Sequence, residues 1–187
     1  MNLYDLIFTP DRRDRPALLA DGIRLTYGEL EIAVDAAAAA LREAGLPQRS
    51  PGRVPRIGLA CPNGVDHVVL ALAILKEGGC LVPVAGELAP PEREAVLQTV
   101  AVDALILSDA MNWPERRGTA LRGIHATLSR LNRDAFPPPR FQEADLAALN
   151  PAFIRFSSGS TGRAKGVVLS HESLRERIEL ANRHLRI

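Results

Sequence analysis

Cysteine is nearly absent from this 187-residue chain. Cys61 and Cys80 have no second cysteine or suitably spaced histidine nearby, which excludes a redox pair or a zinc knuckle and predicts buried thiols. Histidine is as sparse: His67, His125, His171 and His184 are too scattered for a metal site, so a structural role is expected for each. An excess of one charge is lacking too. With 23 basic and 22 acidic side chains the net charge is +1, which provides no broad field for a nucleic acid or an anionic membrane; any anion must be bound locally. Long apolar runs are missing: the longest, Val68 to Leu75, is far short of the roughly 20 residues of a membrane-spanning helix. Met1 to Pro10 carries Asp5 and no basic segment before an apolar run, unlike a secretory leader. These absences predict a cytoplasmic protein with no membrane span and no nucleic-acid partner.

What is present suits a folded domain. Hydrophobic residues make up 47% and charged residues 24%, near the globular average, and the length allows one unit with a real core. Ala17–Ala20 and Ile23–Tyr27 flank Asp21-Gly22, a hairpin turn signal. Thr26 and Glu29 have the spacing of a capping box, opening a helix that runs to about Ala44 and stops at Gly45. After a loop over 46–55, Arg56–Cys61 reads as a buried strand, Val65–Glu77 as a helix and Cys80–Ala85 as a strand. That succession implies parallel strands joined by a crossover, hence an α/β fold. A helix from Pro90 to about Val100 and a strand over Ala104–Ser108 continue the alternation. Residues 109–150 have no clear period, and Leu121–Leu131 fits either strand or helix. Ala152–Ser157 and Lys165–Ser170 read as paired strands, and His171–Leu185 as a charged amphipathic helix.

Between those last strands lies Ser157-Ser158-Gly159-Ser160-Thr161-Gly162-Arg163-Ala164-Lys165-Gly166. Its glycines let backbone approach a ligand closely, its hydroxyls and amides can donate to phosphate oxygens, and Arg163 and Lys165 supply positive charge. It is not a Walker loop, because Lys165 follows Ala164 and precedes Gly166 rather than sitting in Gly-Lys-Ser/Thr. Composition alone would also allow a flexible Ser/Gly turn.

The order of residues goes further. Phe156 to Gly166, continuing into Val167-Val168-Leu169-Ser170-His171, resembles the signature loop of the adenylate-forming, AMP-binding superfamily: acyl-CoA synthetases, peptide synthetase adenylation domains and luciferases. Thr26-Tyr27-Gly28-Glu29-Leu30, the Ile57–Asn63 and Ala71–Pro83 segments and Pro91-Glu92-Arg93 resemble further elements of the family in the same order. Packing explains most of these upstream residues, and none is assigned to catalysis.

The resemblance implies part of a large amino-terminal domain, a mostly parallel sheet flanked by helices, with residues 1–187 an incomplete portion of the AMP-binding domain and the carboxy-terminal domain absent. It implies attack of a carboxylic acid on ATP, accompanied by Mg2+, to give an acyl-adenylate and pyrophosphate, followed by transfer to a thiol. The acyl-CoA synthetase type, with CoA as acceptor and a place in fatty acid metabolism, is the expectation; a carrier protein is the other acceptor. The ATP phosphates would be held by Ser157, Ser158, Gly159, Ser160, Thr161, Gly162, Lys165 and Gly166. No catalytic residue and no metal ligand is assigned. Two positions depart from the family pattern: Ala164 stands where proline is usual, and Ala85 where aspartate is common. A half-domain that binds nucleotide without turnover, one chain of a split enzyme, and an interaction module remain open as other readings.

Overall fold

The computed structural model describes residues 2–20, 22–114, 117–157 and 165–185, and only the backbone of Ser157, Lys165 and Leu185. A one-turn helix α1 (Leu3–Ile7) comes first, capped by the Asn2 side chain, which accepts from the Tyr4 amide at 3.0 Å. Five residues are too few to show a helical period, and the sequence reading assigned nothing there. The expected hairpin follows: β1 (Pro16–Ala20) pairs antiparallel with β2 (Ile23–Thr26), and Gly22 turns at φ +78°.

Helix α2 (Tyr27–Glu43) starts at the anticipated cap. The Glu29 amide donates to Thr26 Oγ1 at 3.2 Å and the Thr26 amide to Glu29 Oε2 at 2.8 Å, satisfying two amides that the first turn leaves free. Leu30, Val34, Ala37, Ala38 and Leu41, at helical spacing, form its buried stripe.

The alternating unit is formed by β3 (Arg56–Ala60), α3 (Val65–Lys76), β4 (Cys80–Pro83), α4 (Pro90–Thr99) and β5 (Ala104–Ser108). Next come β6 (Thr119–Ala120), β7 (Ala126–Arg130), α5 (Glu143–Ala148), β8 (Pro151–Ser157), β9 (Lys165–Ser170) and α6 (His171–Leu185). The ambiguous Leu121–Leu131 stretch therefore contains a strand. Pairing with β5 decides it, since Ala104–Ser108 has an open edge that β7 fills antiparallel.

Seven strands form one sheet in the order β6-β7-β5-β3-β4-β8-β9. β5, β3, β4 and β8 run parallel; β6, β7 and β9 pair antiparallel with their neighbours. The chain moves from β3 to β4 in one direction, then returns past β3 to β5, which places the crossover helices on opposite faces. Alternation along the strands shows this. Ile57, Leu59, Leu81 and Ile106 pack with Val34 of α2 and Ile74 of α3, whereas Val82, Leu105 and Leu107 pack with Val96 and Leu97 of α4. Cys80 belongs to the second face, its thiol pushed up to about 12 by burial, as expected of an inert core cysteine. Cys61 is only half-buried.

A charged network closes the amino end of the parallel strands. Arg56, the first residue of β3, has no exposed surface. Its Nη1 and Nη2 donate to Glu143 at 2.7 and 2.9 Å, and its Nε donates to the Ala101 carbonyl at 3.1 Å. The Arg56 amide donates to Asp103 Oδ2 at 2.8 Å, while Arg53 and Arg133 pair with Asp103 Oδ1. Arg133 Nη2 also reaches Glu143 at 2.7 Å. Hydrogen bonds from Arg56 hold the Glu143 carboxyl at about 2, far below its usual range.

Candidate functional site

In a parallel sheet, every strand points its carboxyl end at the same rim, and loops there are free to carry ligand-binding groups. Ala60, Pro83 and Ser157 end β3, β4 and β8 at that rim. β8 and β9 are the two arms of one hairpin, with Phe156 opposite Gly166 and Ser157 opposite Lys165. Ser157 and Lys165, two of the expected phosphate-binding residues, are thus brought face to face at the hairpin mouth, on the rim where β3 and β4 end. Ser158, Gly159, Ser160, Thr161 and Gly162, together with Arg163 and Ala164, lie outside the described residues.

Gly166 has a packing reason to lack a side chain. A Cβ there would sit 3.2 Å from Ile154 Cγ2 and 3.3 Å from Val100 Cγ1, too close for an ordinary contact. The hairpin lies tightly against the end of α4, and that fixes where the loop leaves the sheet.

Sequence reasoning assigned Arg93 no role, yet it organises the neighbouring loops. Its Nη2 donates to the Gly86 carbonyl at 2.7 Å, its Nε to Leu88 at 2.8 Å and its Nη1 to Asn112 at 3.0 Å. The guanidinium also lies over the Trp113 ring, 5.0 Å from its centroid. The segment after β4, which holds Ala85, is thereby tied to the segment after β5. The signal was present in the Pro91-Glu92-Arg93 element, but the carbonyls it binds come from two distant loops.

Between β3 and β5 at the same rim, the Cys61 thiol is hydrogen-bonded to Ser108 and pushed up by burial, so it is protonated and unreactive at neutral pH. His67 Nδ1 lies 3.2 Å from the Cys61 carbonyl oxygen. His171 fills a structural position: it is buried, and its Nδ1 accepts the Leu3 amide at 3.0 Å. That contact requires the unprotonated nitrogen, and burial holds the imidazole below its ordinary value. Among the described residues no group of three histidine, cysteine or acidic side chains is placed to hold a metal, and no helix is long and apolar enough to cross a membrane.

A mostly parallel sheet flanked by helices, with a Ser/Thr/Gly-rich segment between β8 and β9 in the sequence, matches the amino-terminal subdomain of adenylate-forming enzymes. The pattern of the AMP-binding enzyme family matches residues 9–185, and the chain belongs to that family. Among solved structures, the fold is similar to the amino-terminal subdomain of Klebsiella oxytoca NpsA in complex with 3-hydroxybenzoyl-AMSN. The TM-score is 0.64 at 26% identity, covering 90% of this chain and 40% of that one. It is similar also to CmiS6, with a TM-score of 0.65 at 25% identity over 100% of this chain and 44% of that one.

Curated relatives include nonribosomal peptide synthetase verP of Clonostachys rogersoniana, 34% identical over 80% of this chain and 7% of its own length. Syringomycin synthase SyrB1 of Pseudomonas syringae pv. syringae is 30% identical over 95% of this chain and 28% of its own. The chain therefore spans only a small part of the relatives it matches. Neither relative is an acyl-CoA synthetase, so the expected CoA acceptor and link to fatty acid metabolism find no support.

Proposed function

We propose that this chain supplies the ATP phosphate-binding part of an adenylation domain of the peptide synthetase kind. Such a domain activates the carboxyl group of an amino acid and passes it to a carrier-protein thiol. The observation that supports this most is that Ser157 and Lys165, which flank the signature segment in the sequence, face each other across β8 and β9 on the rim where an α/β sheet receives its ligands. The kinship with peptide synthetases favours an amino acid and a carrier protein over a fatty acid and CoA.

In the proposed reaction, a carboxylate oxygen of the acid attacks the α-phosphorus of ATP, the bond to the bridging oxygen breaks, and pyrophosphate leaves with that electron pair. The hydroxyls and amides of Ser157 through Gly162, with the backbone at Gly166, would orient the triphosphate, and Lys165 would offset charge accumulating on the leaving group. Mg2+ would arrive with the nucleotide, held chiefly by its phosphates. The carrier thiol then attacks the acyl carbonyl, forming the thioester and releasing AMP. We take residues 1–187 as the amino-terminal portion of that domain, because solved relatives extend to more than twice the matched length.

The test is exchange of label from pyrophosphate into ATP, run on the protein as it occurs in its host, with panels of amino acids and fatty acids. Amino-acid-dependent exchange that falls at least about a hundredfold in Lys165→Ala is expected, the scale of losing one group that stabilises the leaving charge. Exchange driven by fatty acids, with product captured by CoA, would overturn the peptide synthetase assignment.

A further inference from the structure

The rim opposite Ser157 and Lys165 holds a cavity of about 540 Å³, a volume in the range of small-molecule sites. It opens at the amino ends of β3 and β5, beside the charged network. Arg53, Arg130 and Arg133 line it, against Asp103 and Asp134. Three cations against two carboxylates leave one positive charge in excess, and behind them Arg56 and Glu143 cancel.

The distribution of donors is more telling than the sum. Each guanidinium carries five N–H donors and no acceptor. Arg53 directs one to Asp103; Arg133 directs one to Asp103 and one to Glu143. Arg130, exposed at the end of β7, has no partner among the described residues. Asp103, only 3% exposed at its side chain, is engaged at both oxygens, Oδ1 by Arg53 and Arg133 and Oδ2 by the Arg56 amide. Of the two acids at the cavity, Asp103 is therefore turned inward and saturated, whereas Asp134 is exposed and opposes an anion; against that one carboxylate stand Arg130 and the surplus donors of Arg53 and Arg133. The Asp103 carboxylate also fixes two of the guanidiniums in place before any ligand arrives, which reduces the ordering cost of binding. Phe136 and the Pro137–Pro139 run form an apolar wall of the same cavity.

We propose that this amino-rim cavity binds a small phosphate-bearing molecule, its phosphate held by Arg53, Arg130 and Arg133 and its apolar body lying against Phe136 and the proline run. The pairing follows from the guanidinium fork, which matches phosphate oxygens two at a time. The site is separate from Ser157 and Lys165, which lie on β8 and β9 at the opposite rim of the sheet.

Calorimetric titration of the protein, as it occurs in its host, with phenyl phosphate and with inorganic phosphate tests this. Saturable, salt-sensitive binding is expected, tighter for phenyl phosphate, weakened at least about tenfold in Arg130→Ala, partly restored in Arg130→Lys and retained in Lys165→Ala. The melting temperature of Arg130→Ala should match the parent, because the Arg130 side chain has no partner among the described residues. Binding that survives Arg130→Ala, binding lost only in Lys165→Ala, or no binding at all would each overturn the site. Equal affinity for the two probes would overturn the apolar half of the assignment. Failure here leaves the adenylation reading intact, and failure of labelled exchange leaves this site intact.

Discussion

Replacing Arg56 with methionine is the sharpest perturbation the fold offers. The substitution keeps most of the buried volume but removes both hydrogen bonds to Glu143 and the one to the Ala101 carbonyl. Breaking one side of a buried ion pair costs about 3–5 kcal/mol, and because Arg133 still reaches Glu143 we place this case near 3. With a urea dependence of about 2 kcal/mol per molar, the unfolding midpoint should fall by about 1.5 M. Adding Glu143→Leu should recover much of the loss, since a well-packed apolar pair often replaces a buried ion pair at little cost.

Acid gives an independent view of the same bonds. Glu143 titrates near 2 in the fold against an ordinary 4.5, so its contribution is present above 4.5 and lost as pH falls from there toward 2. Its side chain keeps 30% of its exposure, and after allowance for solvent screening the contribution is about 1–2 kcal/mol. Urea titrations at pH 6 and pH 3.5 of the parent and Glu143→Gln measure it. The reasoning fails if Arg56→Met costs less than about 1 kcal/mol, or if Glu143→Gln leaves the acid sensitivity unchanged.

Other substitutions probe separate parts of the fold. Thr26→Ala removes the capping box and should cost about 1 kcal/mol in thermal or urea unfolding. Gly118→Ala would place a Cβ 2.4 Å from the Leu128 carbonyl oxygen, so it should unseat β6 from β7 and cost about 2 kcal/mol, with faster amide exchange confined to that edge. His171 is held neutral, so stability should fall as pH drops below about 6.5, where the unfolded chain takes up a proton that the fold refuses, by at most about 1.4 kcal/mol per pH unit. His171→Asn, which keeps an acceptor near the Nδ1 position, should flatten that slope.

The central alternation was legible because its signals are local: the Asp21-Gly22 turn, the Thr26/Glu29 cap, glycines after α3 and the continuous apolar runs of buried parallel strands. Observed strands end one or two residues from where the pattern placed them, as at Ala60 and Pro83. Helices α1 and α5 escaped because each has fewer than two turns, and β7 because Ala-Thr-Leu-Ser-Arg gains its identity only by pairing with β5. The charged network was hidden for another reason: Arg56 meets Asp103 and Glu143 across 47 and 87 residues, and in sequence it looks like an ordinary polar start to a strand. The signature segment could be read directly, whereas the station of Ser157 and Lys165, which flank it, at the carboxyl rim required the strand order. The acceptor could not be read from it, since the proposed binding of triphosphate is the same task whether CoA or a carrier protein follows.

One consequence concerns solubility. β9 forms the last strand of the described sheet, so one row of its amides and carbonyls faces no strand, and its sequence, Lys-Gly-Val-Val-Leu-Ser, has an exposed Val167 and a single charge. Such an edge is a template for another strand of the same kind. Handled alone at high concentration, the chain should precipitate through this seam, and a lysine in place of Val167 would be the simplest means of keeping it in solution.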